Sequence, residues 1–127
     1  MPSVRDAMSD SIVSVPPSAS VAEAATVMGS HAVGSVLVLH GERLVGIFTE
    51  RDIVRALSEH FDAAGHLVQN WMTDEPVTVA ADAAVEDALD LMLSKGFRHL
   101  PVLDGGTLLG VVSLRDLGRY TSSDHPT

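Results

Sequence analysis

Short apolar segments of strand length alternate along this chain with segments of helical period. Val13-Ser-Val15 and Val77-Thr-Val79 alternate apolar and polar residues and lie near Pro16 and Pro76, which predicts two short strands. Ser20-Val-Ala-Glu23 has the hydroxyl-to-acid spacing of a capping box and opens a helix whose apolar face is Val21, Ala24, Ala25 and Met28. A second helix repeats that face as Val85, Ala88, Leu89 and Met92, but Ala84 stands where Ser20 does and the hydroxyl cap is lost; Asp82, slightly earlier, is a candidate to replace it. Ser35–Leu39 and Leu44–Phe48 flank the turn His40-Gly-Glu-Arg43, and His99–Leu103 and Leu108–Val112 flank Asp104-Gly-Gly-Thr107. Both read as hairpins whose glycines supply positive φ. Thr49-Glu-Arg-Asp52 and Ser113-Leu-Arg-Asp116 then start two further capped helices.

These elements are two copies of one pattern. Displacing the chain by the 64 positions that separate Met8 from Met72 superposes Val13 and Val15 on Val77 and Val79, Met28 on Met92, Gly46 on Gly110, and Arg51-Asp52 on Arg115-Asp116, with no gap. The repeats are read at 4–57 and 68–121, joined by a linker at 58–67 rich in Ala, His and Gly, with a frayed tail at 121–127. Met8, Met28, Met72 and Met92 recur at matched positions and are read as core. One such unit cannot cover its apolar faces alone. The expected fold is therefore α/β (α+β): two β-α-β-β-α repeats related by a pseudo-twofold and packed as one module.

Composition narrows the function. Hydrophobic residues make up 46% of the chain, which excludes disorder, whereas aromatics make up only 4%, so aliphatic residues must fill the core. A net charge of −9, with 17 acidic against 8 basic residues, argues against nucleic acid and against an anionic membrane surface. The absence of cysteine removes disulfides, thiolate metal sites and a cysteine nucleophile. The start of the chain shows no apolar signal segment, and the apolar stretches Val33–Leu39 and Leu108–Val112 are too short to span a bilayer, so a cytoplasmic protein is expected.

Two motifs, each present twice, resemble the CBS (cystathionine β-synthase) domain pair, or Bateman module. One is Gly46-Ile-Phe-Thr49-Glu-Arg-Asp52 with Gly110-Val-Val-Ser113-Leu-Arg-Asp116; the other is Val33-Gly-Ser-Val-Leu-Val38 with Phe97-Arg-His-Leu-Pro-Val102. The resemblance covers about residues 4–121 and implies clefts between the repeats that bind an adenosine-containing ligand: AMP, ADP, ATP or S-adenosylmethionine. It implies one cleft built from Ser14, Val15, Pro16, Arg98, His99, Val111, Ser113, Arg115 and Asp116. The other would use Thr78, Val79, Gly34, Ser35, Ile47, Thr49, Arg51 and Asp52. The chemistry fits, because an ionised Asp accepts from both hydroxyls of a ribose and a helix N-terminus favours a phosphate. The clefts are not equivalent. Arg98 and His99 can bond phosphate, whereas Gly34 and Ser35 carry no charge, so the Asp116 cleft is the better nucleotide site.

A plainer reading stands beside this one. Asp52 and Asp116 can be ordinary helix caps, and Arg51 and Arg115 solvated helix residues. The histidines His31, His40, His60, His66, His99 and His125 show no zinc spacing, so no metal is expected. Gly29-Ser-His-Ala-Val-Gly34 has the glycine spacing of a P-loop without its Lys-Ser/Thr, and no nucleophile–base set is visible. The expected function is a stand-alone regulatory sensor and not an enzyme. It would use no catalytic cofactor, with Mg2+ able to accompany ATP. The family resemblance implies a homodimer, to which Leu91, Leu93 and Leu114 would add apolar surface, and an unknown effector protein must read the signal. The alternative is a ligand-free structural or protein-interaction module.

Overall fold

The computed structural model describes residues 2–123, and their side chains as far as Tyr120; the tail beyond, with His125, lies outside the described residues. The fold is mixed α/β, as expected. Helices α1 (Val4–Ala7), α2 (Val21–His31), α3 (Glu50–Glu59), α4 (Val85–Lys95) and α5 (Leu114–Ser123) are interleaved with strands. These are β1 (Ser14–Val15), β2 (Ser35–His40), β3 (Arg43–Thr49), β4 (Thr73–Asp74), β5 (Val79–Ala80), β6 (His99–Asp104) and β7 (Thr107–Ser113). The chain forms two compact units. One runs from Val13 to Pro76; the other joins the segment ending at Ile12 to the segment beginning at Val77. Sequence repeat and compact unit are thus different divisions of the chain, because the opening segment of each repeat is built into the unit that holds the other repeat's hairpin.

In the 13–76 unit the sheet order is β1-β2-β3-β4, with β1 parallel to β2 and the remaining pairs antiparallel. Strand alternation sends Val36, Val38 and Phe48 into a core shared with Val21, Ala24 and Met28 of α2, Ala56 of α3, and Val68 and Trp71. The segment read as a linker at 58–67 is structured: a turn of 3-10 helix at Ala63–Gly65 buries Ala63 completely, and a second turn just beyond it, at Val68–Asn70, buries Val68. Short strands such as β4 are set by backbone pairing, Gly46 with Asp74 and Ile47 with Thr73, and have no apolar pattern of their own.

The second unit repeats this plan with sheet order β5-β6-β7. Val102, Leu100 and Val112 pack on Val85, Ala88 and Met92 of α4, Leu117 of α5, and Val4 of α1. Ser9 takes the place of Thr73: its N–H donates to the Val111 carbonyl at 2.9 Å, and the Val111 N–H returns a bond at 3.1 Å. Met28 and Met92 are buried, and Met8 and Met72 pack partly buried against the two cores, as the repeat requires.

The helix ends show how far local sequence was a guide. Ser20 accepts from the Glu23 N–H at 3.0 Å, completing the expected box. Asp82, the candidate cap of α4, does not fill that role: α4 has no side-chain cap, and the Pro2 carbonyl accepts the Val85 N–H at 3.3 Å instead. The matching carbonyl in the other unit is His66, which accepts from the Val21 N–H at 2.9 Å. At the far end of α2, Ala32 occupies the left-handed region at φ 53°, where the repeat places Gly96 at φ 76° beyond α4. A Cβ disfavours that conformation by about 1 kcal/mol. Ala32→Gly is therefore expected to raise stability by about 0.5–1 kcal/mol in urea unfolding, and an unchanged or lower midpoint would contradict it.

The apolar surplus also lies elsewhere than predicted. Leu91 and Leu114 pack partly buried against their own core, and only Leu93 of the three is exposed. The larger exposed set is Val54, Leu57 and Phe61, the last 97% exposed.

Candidate functional site

Each hairpin places its motif residues on one sheet face. In the 13–76 unit Ser35 stands opposite Thr49 and Leu37 opposite Ile47, while Ser14 lies beside Leu37 on the parallel edge. Alternation sends these side chains away from Val36, Val38 and Phe48. The other unit sets His99 opposite Ser113 and Pro101 opposite Val111. Leu37 and Pro101 were missed in the sequence, although a step of two from Ser35 and His99 along the strand would have found them.

The hairpin also fixes the helix mouths. The Glu50 N–H donates to the Gly34 carbonyl at 3.1 Å, and the Leu114 N–H to the Arg98 carbonyl at 2.8 Å. The residue that precedes β2 or β6 is therefore tied to the first turn of the helix that follows the hairpin. The third helical amide is taken as well: Asp52 N–H by Thr49 Oγ1 at 3.4 Å and Asp116 N–H by Ser113 Oγ at 3.0 Å. That leaves the second amide, of Arg51 or Arg115, without a protein partner among the described residues. Such an amide, with the helix dipole behind it, suits an anion. The Arg51, Arg98 and Arg115 side chains are exposed.

Both acids are capping residues, as the plainer reading held. Asp52 Oδ2 accepts from the Thr49 N–H at 2.9 Å and from its hydroxyl at 3.2 Å. Asp116 Oδ2 accepts from the Ser113 N–H at 3.0 Å, and the Ser113 hydroxyl gives it no bond. Capping leaves one oxygen over in each case. Asp52 Oδ1 faces Arg55 Nη2 at 3.4 Å, and Asp116 Oδ1 faces Arg119 Nη1 at 4.0 Å. Arg55 falls on Arg119 under the repeat displacement, a signal in the sequence that the motif residues overshadowed.

The structure thus brings Gly34, Ser35, Ile47, Thr49, Arg51 and Asp52 together in one unit. It brings Arg98, His99, Val111, Ser113, Arg115 and Asp116 together in the other. Ser14, Val15 and Pro16 belong to the unit of the first group, and Thr78 and Val79 to the unit of the second.

The invariant feature of both motifs, the leading glycine, has a packing cause. A Cβ on Gly46 would meet Met72 Sδ and come within 2.9 Å of the Thr73 carbonyl oxygen. A Cβ on Gly110 would collide with the Ser9 carbonyl oxygen. The crossing strand, β4 in one unit and Ser9 in the other, lies directly over the glycine.

Among the described residues no helix is long and apolar enough to cross a membrane, and no cluster of His, Asp and Glu is arranged to hold a metal ion. The chain is 46% identical over 114 residues to an uncharacterized 17.7 kDa protein of Acidianus ambivalens, covering 87% of this chain and 68% of that protein. Its fold matches a CBS-domain-containing protein of Agrobacterium tumefaciens at a TM-score of 0.89 and 30% identity, covering 94% of this chain and 99% of the other. It also matches CBSX2, solved in complex with AMP, at a TM-score of 0.81 and 27% identity, covering 96% and 97%. The CBS domain model matches twice, at residues 4–59 and 67–122, and with the duplicated hairpins and glycine crossings this places the chain in the CBS-domain family.

Proposed function

We propose that this chain is a regulatory module that binds an adenosine-containing nucleotide at the Asp116 hairpin, and that a homodimer of the module reports occupancy to an effector protein. The observation that carries this reading is the state of Asp116. One carboxylate oxygen serves the helix cap, and the other is held by nothing closer than an ion-pair contact at 4.0 Å. A ribose diol needs such an acceptor. Arg98 is exposed one residue before β6, where its planar fork can reach a phosphate, and the free Arg115 amide lies at the mouth of α5. The AMP complex of CBSX2 supports the ligand class. Binding would shift the population of module geometries, and no covalent chemistry is required of the chain.

Isothermal titration of AMP, ATP and S-adenosylmethionine tests the reading. AMP is expected to bind with a Kd on the order of micromolar, about −8 kcal/mol. If Arg98 serves phosphate, both phosphate ligands bind more tightly than S-adenosylmethionine. No heat and no thermal shift with any of the three would leave the ligand-free interaction module as the function.

A further inference from the structure

The two acids differ in what remains open to a ligand, and the difference traces to a residue outside both motifs. Asp52 Oδ2 holds two donors, from the Thr49 amide and hydroxyl, and Oδ1 holds Arg55. Arg55 is itself fixed. Its Nη2 donates to the Trp71 carbonyl at 2.8 Å, and its guanidinium carbon lies 5.1 Å from the centre of the Trp71 ring, in cation–π range. Trp71 is fixed in turn: its Nε1–H donates to His66 Nδ1 at 3.2 Å, and its ring stacks on His66 with centroids 6.1 Å apart. The edge of Trp71 meets His60 at 5.9 Å.

The second repeat lacks this assembly. The displacement that puts Arg55 on Arg119 puts Trp71 on Ala7 and His66 on Pro2. Among the described residues Arg119 rests on no ring, and it stands 4.0 Å from Asp116 with its side chain 67% exposed. A carboxylate has about four acceptor positions. Asp52 has spent most of its own inside the protein, and Asp116 has spent one on the Ser113 amide.

We propose that Arg55, clamped by Trp71, closes Asp52 to a ribose diol, so that the module takes one nucleotide per chain, at Asp116. The proposal rests on the nucleotide-binding reading above. Arg55 acts here as a specificity-determining residue, and the Trp71–His66 stack positions it.

The test is the stoichiometry of AMP binding to the full chain and to Arg55→Gln, read by isothermal titration. Arg55→Met, which keeps the apolar stem over the ring, is the second variant in case the first melts early. One AMP per chain in the parent protein and two in either folded variant are the expected results. Two per chain in the parent, or no added site in either variant, would overturn the clamp. The nucleotide-binding reading fails on a different result, no binding by the parent chain, and the gain of a site on releasing Arg55 is scored separately from that baseline. The single tryptophan adds a readout that needs no ligand. Its emission is expected to change in Arg55→Gln, and identical spectra would mean that the guanidinium does not rest on the ring in solution.

Discussion

Replacing Gly110 by alanine is expected to lower stability by about 3 kcal/mol and the melting temperature by roughly 10 °C. The added carbon would occupy the space of the Ser9 carbonyl oxygen, a backbone atom that no rotamer change can move. The segment around Ser9 would have to lift from β7 and give up the paired bonds between Ser9 and Val111. Each is a net contribution of about 1 kcal/mol, and overpacking adds about 1–3 kcal/mol. Gly46→Ala is expected to cost less, because the first atom it meets is the sulfur of Met72, which can rotate aside. Calorimetric melting of the two variants checks the order. A Gly110→Ala protein that melts like the parent would mean that Ser9 does not cross the motif in solution. Hydrogen exchange at Val111 should locate the damage, since that amide is bonded only through Ser9 on this edge.

Asp116→Asn is expected to weaken AMP binding about 100-fold while the protein melts almost as before. An asparagine oxygen can still accept from the Ser113 amide, so the cap is kept and the charge is lost. Hydrogen bonds to a charged acceptor contribute about 1.5–3 kcal/mol each, and losing the charge-assisted part of two accounts for the factor. Asp116→Ala removes cap and acceptor together and should add about 1 kcal/mol of destabilisation. The pair of variants separates the two roles that one residue fills. If Asp116→Asn binds AMP like the parent, Asp116 is a helix cap and the diol goes elsewhere.

What could be read in the sequence was what depends on side-chain type and spacing. The displacement that aligns Met8 with Met72, the apolar faces of α2 and α4, the hairpins around Gly41 and Gly105, and the Thr49–Asp52 and Ser113–Asp116 boxes are all written in the identity of residues. What could not be read runs through the backbone. The Pro2 carbonyl that replaces the missing cap of α4, the pairing of Thr73 and Ser9 with the hairpin edges, and the turns at Ala63–Gly65 and Val68–Asn70 carry no residue signature, because any residue has a carbonyl and most have an amide. The site was legible in the same proportion. Its motif residues were visible as a duplicated spacing, and the grouping of Arg98 and His99 with Ser113 and Asp116 was implied by the family resemblance; in the structure one hairpin sets His99 opposite Ser113. The charge of Arg98 led to the expectation that the two clefts differ, whereas the contrast seen in the structure is of another kind, in the hydrogen bonds each acid already holds. The clamp on Asp52 was invisible, because Arg55 and Trp71 are 16 positions apart and meet only once the segment between them has folded back on α3.

The division of the chain also sets the order in which the protein can fold during synthesis. The 13–76 unit is continuous, so all its parts have been made once Pro76 emerges, and it can fold at that point. The other unit needs residues from both sides of it. Val4 and Ser9 are made before any of the 13–76 unit, yet their partners, Val111 and the α4–α5 core, are made only after it. During translation the opening segment must wait, unpaired, while an entire unit forms behind it. Its polar composition around Ser3, Arg5, Asp6, Ser9 and Asp10 keeps that waiting segment compatible with water until the last helix is available to receive it.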